Sequence, residues 1–451
     1  MTGLTRPRRF TFSFLPLEDL ACAALFAFFA LQGSIPGIAP AQALEMTASA
    51  PSSLNTIGGI GSQILANAVI LLLVLLRPRL VFRRIAAVPW FALLAVLAIA
   101  STAWSLDPLL TLRRAIPFAL AGLFGVCFAS RFPQHRQLAI LRLSLVVLAL
   151  ATVAFALFLP AIGLDHSPGH AADWQGVFTQ KNACGRIMVL ATAVILFDEH
   201  LSLSRVASLA LFIFVLIMSG SRGAWIIEAA LLFLWFLIRF ARRSSPRART
   251  LLAIAAPAAA LSLITLVLFA SPRLALLFGR DPTLSGRTAI WAQVLRSIAR
   301  HPLLGYGYEA FWRGMQGPSL QISSSVHFVV VHAHNGFLEI ALELGAGGLL
   351  LSALAGLRAV RQLWPLWIQG PVHRIAFPLA VLLLIVLYDL DENSLLLYNG
   401  LFWILTVAAL VTIDTAARDR RHTGAPAPHA ILTLRRHRSR SVAPHAAQDL
   451  P

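Results

Sequence analysis

The chain has 451 residues, 58% of them hydrophobic and only 12% charged, with a formal net charge of +18 and a mean hydropathy of +0.76. Soluble domains contain about 25% charged residues, so this composition excludes an ordinary soluble protein. The three cysteines lie in or beside apolar segments, which is typical of small buried side chains and argues against a disulfide framework.

Apolar runs long enough to cross a bilayer recur along the whole chain. Backbone polar groups must be paired inside lipid, and the alternating pattern of a barrel is absent, so these runs predict helices. We predict an all-α polytopic membrane protein with about 12 transmembrane helices. The expected spans are residues 14–35, 58–76, 85–104, 115–130, 138–160, 183–198, 201–219, 223–239, 250–270, 337–357, 374–390 and 395–414.

These spans form one membrane domain over residues 14–414, between a cytoplasmic N-terminus (1–13) and a basic tail (415–451) rich in Pro, Ala and His. The tail has the composition of a disordered segment that can contact anionic lipid. The start of the chain also imitates a signal peptide, with basic residues, an apolar run and an Ala-rich stretch. In a chain with many later spans, an uncleaved first helix is the better interpretation.

Positive charge is distributed unevenly along the chain. When the 37 Lys and Arg residues are assigned to alternating sides of the membrane, starting inside, most fall on the inner side. This positive-inside pattern predicts an inner-membrane protein with both termini cytoplasmic. The charge does not indicate nucleic-acid binding, because no basic module interleaved with aromatic residues accompanies it.

One long polar segment, residues 271–336, separates the ninth and tenth spans and is predicted to lie on the periplasmic side. Loops of this length are uncommon and usually functional. Within it, Arg287 opens a segment with helical periodicity from Thr288 to Ala299, predicted to be an amphipathic helix along the membrane surface. We therefore expect the functional site in or near this loop.

Cations on the same side are the first candidate site residues. Arg222 lies in the tight turn Ser219–Gly223, and Lys181 is the only lysine in the chain. A helix N-terminus and the planar fork of arginine both suit phosphate oxygens, so Arg222 and Arg287 predict a phosphate site. For the other outer arginines, snorkelling at the membrane surface explains the charge better.

His332 and His334 precede Asn335 at the point where the chain re-enters an apolar span. A neutral imidazole is suited to act as general base toward a sugar hydroxyl. The His-x-His pair also suggests a metal site, although no third ligand lies at zinc-like spacing. A structural pair that caps the following helix is a third interpretation, and these residues alone leave all three open.

Six short motifs follow one another along residues 60–414. They are Gly176–Asn182, Ser219–Gly223, Gly286–Trp291, His301–Tyr308, His332–Gly336 with Glu343–Gly345, and Asp391–Ser394. Each is weak alone, but their order and the long loop between spans nine and ten resemble the O-antigen ligase and polymerase superfamily. The resemblance is closest to its exopolysaccharide-polymerase (ExoQ-like, Wzy-type) branch.

The resemblance implies a metal-independent glycosyltransferase without a cofactor, which acts at the periplasmic face on a glycan carried by undecaprenyl diphosphate. It implies that Arg222 and Arg287 contact the diphosphate and that His334 activates the acceptor. The further residues implied in substrate binding are His332, Asn335, Lys181, Asn182, Glu392, Arg313 and Tyr308. The sequence around Glu392 departs from the more usual Thr-Glu-Ser order, which leaves the role of Glu392 open.

Three functions are compatible with these residues. Polymerisation of lipid-linked repeat units, with a chain-length-determining co-polymerase as a conceivable partner, is the preferred interpretation. A ligase that moves a finished glycan to a lipid A core or another acceptor shares the same donor chemistry and is the alternative. A transporter is the second alternative, but the two halves lack a repeat-related pair of broken helices, and the polar residues gather on one face.

Overall fold

The computed structural model describes residues 16–32, 53–166, 172–198, 202–256, 287–326 and 328–422. These residues are almost entirely helical and contain no strand beyond an isolated antiparallel bridge between Leu164 and Trp174. The predicted all-α class is confirmed. The predicted N-terminus (1–13) and most of the predicted tail lie outside the described residues.

The helical residues 160–163 and 246–256 are left unnumbered, and fourteen other α-helices are numbered here in chain order. They are α1 Leu17–Ala30, α2 Ser53–Leu75, α3 Pro78–Ile85, α4 Pro89–Ala100, α5 Pro108–Arg131, α6 Gln134–Phe158, α7 Lys181–Leu196, α8 Leu203–Met218, α9 Arg222–Arg243, α10 Arg287–Arg300, α11 Gly317–Val326, α12 Gly336–Gln369, α13 His373–Asp391 and α14 Leu401–His422. Within the described residues, six helices (α5, α6, α9, α12, α13 and α14) are long and apolar enough to cross a membrane. A seventh span results if α2 and α3, which meet at 93°, form one broken span.

The expected count of about 12 spans is therefore not confirmed. Each expected segment overlaps a described helix, although most of 250–270 lies outside the described residues. Several helices are too short to cross alone: α4 has 12 residues and α8 has 16. The described part of the expected 271–336 loop contains two helices, and α10 corresponds to the helical segment predicted from Thr288 to Ala299.

The centre of the bundle is the contact between α5 and α14, where Trp403 is inserted. Its indole Nε1 donates a hydrogen bond to the Phe118 carbonyl at 2.9 Å, and the two rings stack with centroids 4.1 Å apart. Gly122 permits this approach, since a Cβ there would lie 3.2 Å from Trp403 Nε1. Small residues at helix contacts are what allow close packing in a membrane.

Helix α5 connects two chemically different ends of the bundle. At its N-terminus, Asp107 caps the helix by accepting a hydrogen bond from the Leu110 N–H at 3.1 Å. At its other end, Arg131 lies 3.3 Å from Glu18. A helix of 24 residues is about 36 Å long, so the basic residues around Arg131 and the residues around Asp107 lie at opposite ends.

Helix α12 is broken at Gly345, whose φ and ψ are 62° and −156°. The loop His301–Tyr308 fills the break. The Tyr306 N–H donates to the Leu342 carbonyl at 3.0 Å, and the Ala346 N–H donates back to the loop at 2.8 Å. The backbone groups released by the break are therefore paired, as apolar surroundings require.

We expect Gly345→Ala to destabilise the protein. A Cβ at Gly345 would lie 2.4 Å from the Leu303 carbonyl carbon. The positive φ adds roughly 1–2 kcal/mol for a residue with a side chain. The unfolding midpoint of Gly345→Ala in detergent should fall well below that of the unchanged protein. Gly356→Ala in the same helix is the matched control, because nothing lies within 4 Å of its Cβ. Equal midpoints for the two variants would contradict the described break.

Candidate functional site

A cavity of about 910 Å³ opens at the Asp107 end of the bundle. Its size is within the ~300–1,000 Å³ typical of ligand pockets. Its wall combines the starts of α5, α7, α9 and α10 with the chain before α12 and the chain after α13. The predicted site residues that line it are Lys181, Asn182, Arg222, Arg287, Arg313, His332, His334 and Glu392.

Two helices begin at this cavity with a cation as their first residue, Lys181 of α7 and Arg222 of α9, and the described part of α10 begins there with a third cation, Arg287. The first N–H groups of a helix have no partner within the helix, and together with the helix dipole they attract anions. This part of the wall is therefore suited to an anionic group.

The starts of α7 and α9 are fixed to each other. Ser221 Oγ donates a hydrogen bond to the Asn182 amide oxygen at 3.0 Å. Lys181 Nζ lies 2.6 Å from Asp173 Oδ2, so the charge of the lysine is balanced locally. The carboxylate of Asp173 packs directly over Gly220, where φ is +60° and a Cβ would lie 2.2 Å from Oδ1. Glycine is required at this turn for both reasons.

The two histidines and Glu392 form one cluster. Nε2 of His332 lies 2.9 Å from Oε2 of Glu392. Nδ1 of His334 lies 3.3 Å from the same oxygen, although that contact lacks hydrogen-bond geometry. The other carboxylate oxygen, Oε1, lies 3.9 Å from Nη2 of Arg287. Glu392 thus brings together the chain before α12, the end of α13 and the start of α10.

The surroundings of the cluster shift the pKa values of His332 and Glu392 and so determine which of the two carries a charge. Burial lowers the pKa of His332 to about 4, and His334, Arg186 and Arg287 act in the same direction. His332 is therefore neutral at pH 7. Burial alone would raise the pKa of Glu392, but its contacts with the two histidines and the charge of Arg186 outweigh burial and lower it to about 2. Glu392 is therefore an anion among cations and a neutral imidazole.

The same cluster has the composition of a metal site. One ligand atom from each of His332, His334 and Glu392 lies within 4.8 Å of the others. No third ligand lies near the His-x-His pair in the sequence, and Glu392 supplies one from a distant motif. Three protein ligands with an open position are typical of catalytic zinc. Against a dication, Arg186 and Arg287 both raise the positive potential at the histidines.

Arg186 was not predicted from the sequence, yet it lines the cavity from inside α7. Its Nη1 donates to Ser394 Oγ at 3.1 Å, and its guanidinium lies 6.0 Å from the Tyr388 ring and 5.8 Å from the Phe402 ring. No carboxylate of the described residues forms an ion pair with it. An arginine inside an apolar helix was the signal that could have identified it.

Two predicted substrate-binding residues lie outside the cavity wall. Tyr308 is fully buried, and its hydroxyl donates to the Leu396 carbonyl. Burial raises the pKa of Tyr308 well above its usual value. Asn335 caps α12 by accepting a hydrogen bond from the Leu338 N–H at 3.0 Å.

Comparison with known proteins gives two matches to this chain, one to a family model and one to a single protein. A family model described as O-antigen ligase matches residues 207–353, which include Arg222, Arg287 and both histidines. The exopolysaccharide production protein ExoQ of Rhizobium meliloti (strain 1021) is 27% identical over 359 residues, which cover 76% of each chain. Together they confirm the resemblance that the motifs predicted: this membrane protein is similar to O-antigen ligase and ExoQ-like proteins.

Proposed function

We propose that this protein is a glycan polymerase of the bacterial inner membrane, which joins repeat units carried on undecaprenyl diphosphate at the periplasmic face. The observation that carries the proposal is the meeting of three cations, on α7, α9 and α10, and a His–Glu cluster at one cavity. The similarity to ExoQ supports polymerisation, and the O-antigen ligase model supports ligation of a finished glycan as the alternative. A cavity at one end of the bundle is less suited to a transporter, whose site lies near the bilayer midplane.

In this proposal Arg222, Arg287 and Arg186 bind the diphosphate of the donor. A guanidinium grips two oxygens at once and does not lose its charge. Arg186 is a cation without a carboxylate partner among the described residues, and a diphosphate supplies the missing anion. Stabilising the charge that develops on the leaving group in a partly dehydrated cavity is usually a large catalytic contribution. Lys181, Asn182 and Arg313 complete the binding surface.

His334 acts as the general base. Its Nδ1 faces Glu392, so Nε2 is the nitrogen that takes the proton of the acceptor hydroxyl. The hydroxyl oxygen bonds to the anomeric carbon as the bond from that carbon to the diphosphate oxygen breaks. The bonding electrons leave with the lipid diphosphate, and the single displacement inverts the anomeric configuration. Glu392 stabilises the imidazolium that forms, and His332 is the second candidate for the base.

The proposed orientation places the cavity in the periplasm and both termini in the cytoplasm. Cysteine introduced at the exposed Ser324 in α11 should react with a membrane-impermeant maleimide in cells with a permeable outer membrane. Cysteine at the exposed Ser245, after α9, should react only after lysis. The three native cysteines are buried and provide a low background. The reverse labelling pattern would overturn the orientation.

Lysine at position 222 or 287 should reduce polymer formation strongly. The charge is kept but the two-oxygen grip is lost, so we expect Arg222→Lys and Arg287→Lys to lower the rate at least about tenfold, which is ~1.4 kcal/mol. The measurement is polymer formed by purified protein from a lipid diphosphate donor. Arg296→Lys is the control, because Arg296 is exposed on the same helix as Arg287 and does not line the cavity. Normal rates for both site variants would place diphosphate recognition elsewhere.

Removal of the proposed base should stop chain extension without abolishing donor binding. We expect His334→Ala to lower the rate by about 10²–10⁴-fold, the usual contribution of a general base. Donor affinity should stay close to that of the unchanged protein, because the arginines remain. His301→Ala is the control, since His301 is exposed and lies away from the cavity wall. If His334→Ala retains activity within a few-fold, His332 becomes the base.

Treatment with a chelator distinguishes the two mechanisms possible for this cluster, proton transfer and metal catalysis. EDTA should leave the rate of the unchanged protein as it was, because the histidines are proposed to move a proton. A rate that disappears with EDTA and returns with zinc or manganese would make His332, His334 and Glu392 metal ligands and would refute the proposed mechanism.

A further inference from the structure

The chain between α11 and α12 carries both histidines, and the backbone between them is held from two sides. The Ala333 N–H donates a hydrogen bond to Oε2 of Glu339 at 2.8 Å. The Ala333 carbonyl accepts a hydrogen bond from Nε1 of Trp291 at 2.9 Å. Ala333 is fully buried, so neither backbone group has water as an alternative partner. Loss of either bond would leave a buried polar group unpaired.

The backbone of His334 needs this support. Its φ is +50°, in the left-handed region that residues with side chains rarely adopt. Such a conformation costs of order 1–2 kcal/mol and persists only where the surroundings determine it. The bonds to Ala333 on one side and the Asn335 cap of α12 on the other fix it. The direction of the imidazole toward Glu392 therefore depends on the neighbours of Ala333.

Glu339 accepts two hydrogen bonds with its carboxyl group. It lies in the first turn of α12 and is 1% exposed. Its second oxygen, Oε1, accepts a hydrogen bond from the indole N–H of Trp312. Both partners are N–H donors, so the position requires two acceptors. A glutamine amide offers one acceptor and one donor, and its donor would face another donor.

We infer that Glu339 is a positioning residue for the histidine pair. It holds the Ala333 backbone so that His332 and His334 face Glu392, and it connects this backbone to Trp312 in the cavity wall. This inference rests on the proposed function and goes beyond it, because Glu339 acts on the reacting atoms only through Ala333. The carboxylate contributes geometry and takes no proton from the substrate.

The test is a pair of matched substitutions at positions 339 and 312. Glu339→Gln should lower the rate at saturating donor by about 10–100-fold while the donor KM changes less than about twofold. Trp312→Phe removes one of the two donors and should cost less. In the double variant the glutamine oxygen can accept from Ala333 while its NH2 group faces a phenyl ring. The rate of Glu339→Gln with Trp312→Phe should therefore exceed that of Glu339→Gln alone by several-fold.

A second readout follows the backbone itself and needs no substrate. Hydrogen exchange in the peptide that covers residues 328–335 should be faster in Glu339→Gln than in the unchanged protein and slower again in the double variant. Glu228→Gln is the control for loss of a buried carboxylate in the membrane, because Glu228 accepts from Thr192 at 2.7 Å and lies outside the cavity wall. It should leave both the rate and the exchange of 328–335 unchanged.

The two readouts separate failure of this inference from failure of the proposed function. If the unchanged protein makes no polymer but the exchange pattern holds, only the proposed function is refuted. If polymer forms and Glu339→Gln matches the unchanged protein in rate and in exchange, the positioning role is refuted. A double variant no faster than Glu339→Gln would also refute it, since a general loss of packing predicts additive damage.

Discussion

One buried carboxylate, Glu392, determines how the cavity is organised. It is ionised and touches both imidazoles and the guanidinium of Arg287. Asp389 places it, because Oδ1 of Asp389 accepts the N–H groups of two residues after the helix and turns the chain directly at the end of α13. An anion at the edge of a membrane is stable only beside compensating groups. The start of α10 and the histidine-bearing chain therefore meet at this carboxylate.

Broken and short helices bring these segments together around Glu392. The break at Gly345 admits the loop His301–Tyr308, which brings the chain between α10 and α11 against α12. Helices α7 and α9 direct their N-termini toward the same cavity, and the described part of α10 begins there. A bundle of uninterrupted spans would place such termini at the membrane surface without a common wall. The irregular backbone is therefore concentrated where it borders a polar cavity, as membrane proteins require.

Local patterns in the sequence predicted the features that depend on local physics. Hydropathy predicted helices, and the Ser-Gly-Ser-Arg-Gly turn and the periodicity after Arg287 predicted the starts of α9 and α10. Features that depend on distant contacts could not be predicted. Glu392 as partner of the histidines, Arg186 as a cation without an ion pair among the described residues, and the burial of Tyr308 all require the packed bundle. The predicted count of about 12 spans is not confirmed among the described residues, because hydropathy does not reveal where a proline or a bend shortens a helix.

Lys181 has a chemical consequence of its own. It is the only lysine in the chain, and its side chain is 13% exposed and paired with Asp173 at the cavity wall. Amine-directed reagents, which modify most proteins at many surface sites, therefore find a single side-chain amine here, beside the proposed lipid diphosphate. The carboxylate of Asp173 lies 2.6 Å from that amine and restricts the approach of a reagent to it. A fluorophore or crosslinker attached at this amine would report on occupancy of the cavity without any engineered residue.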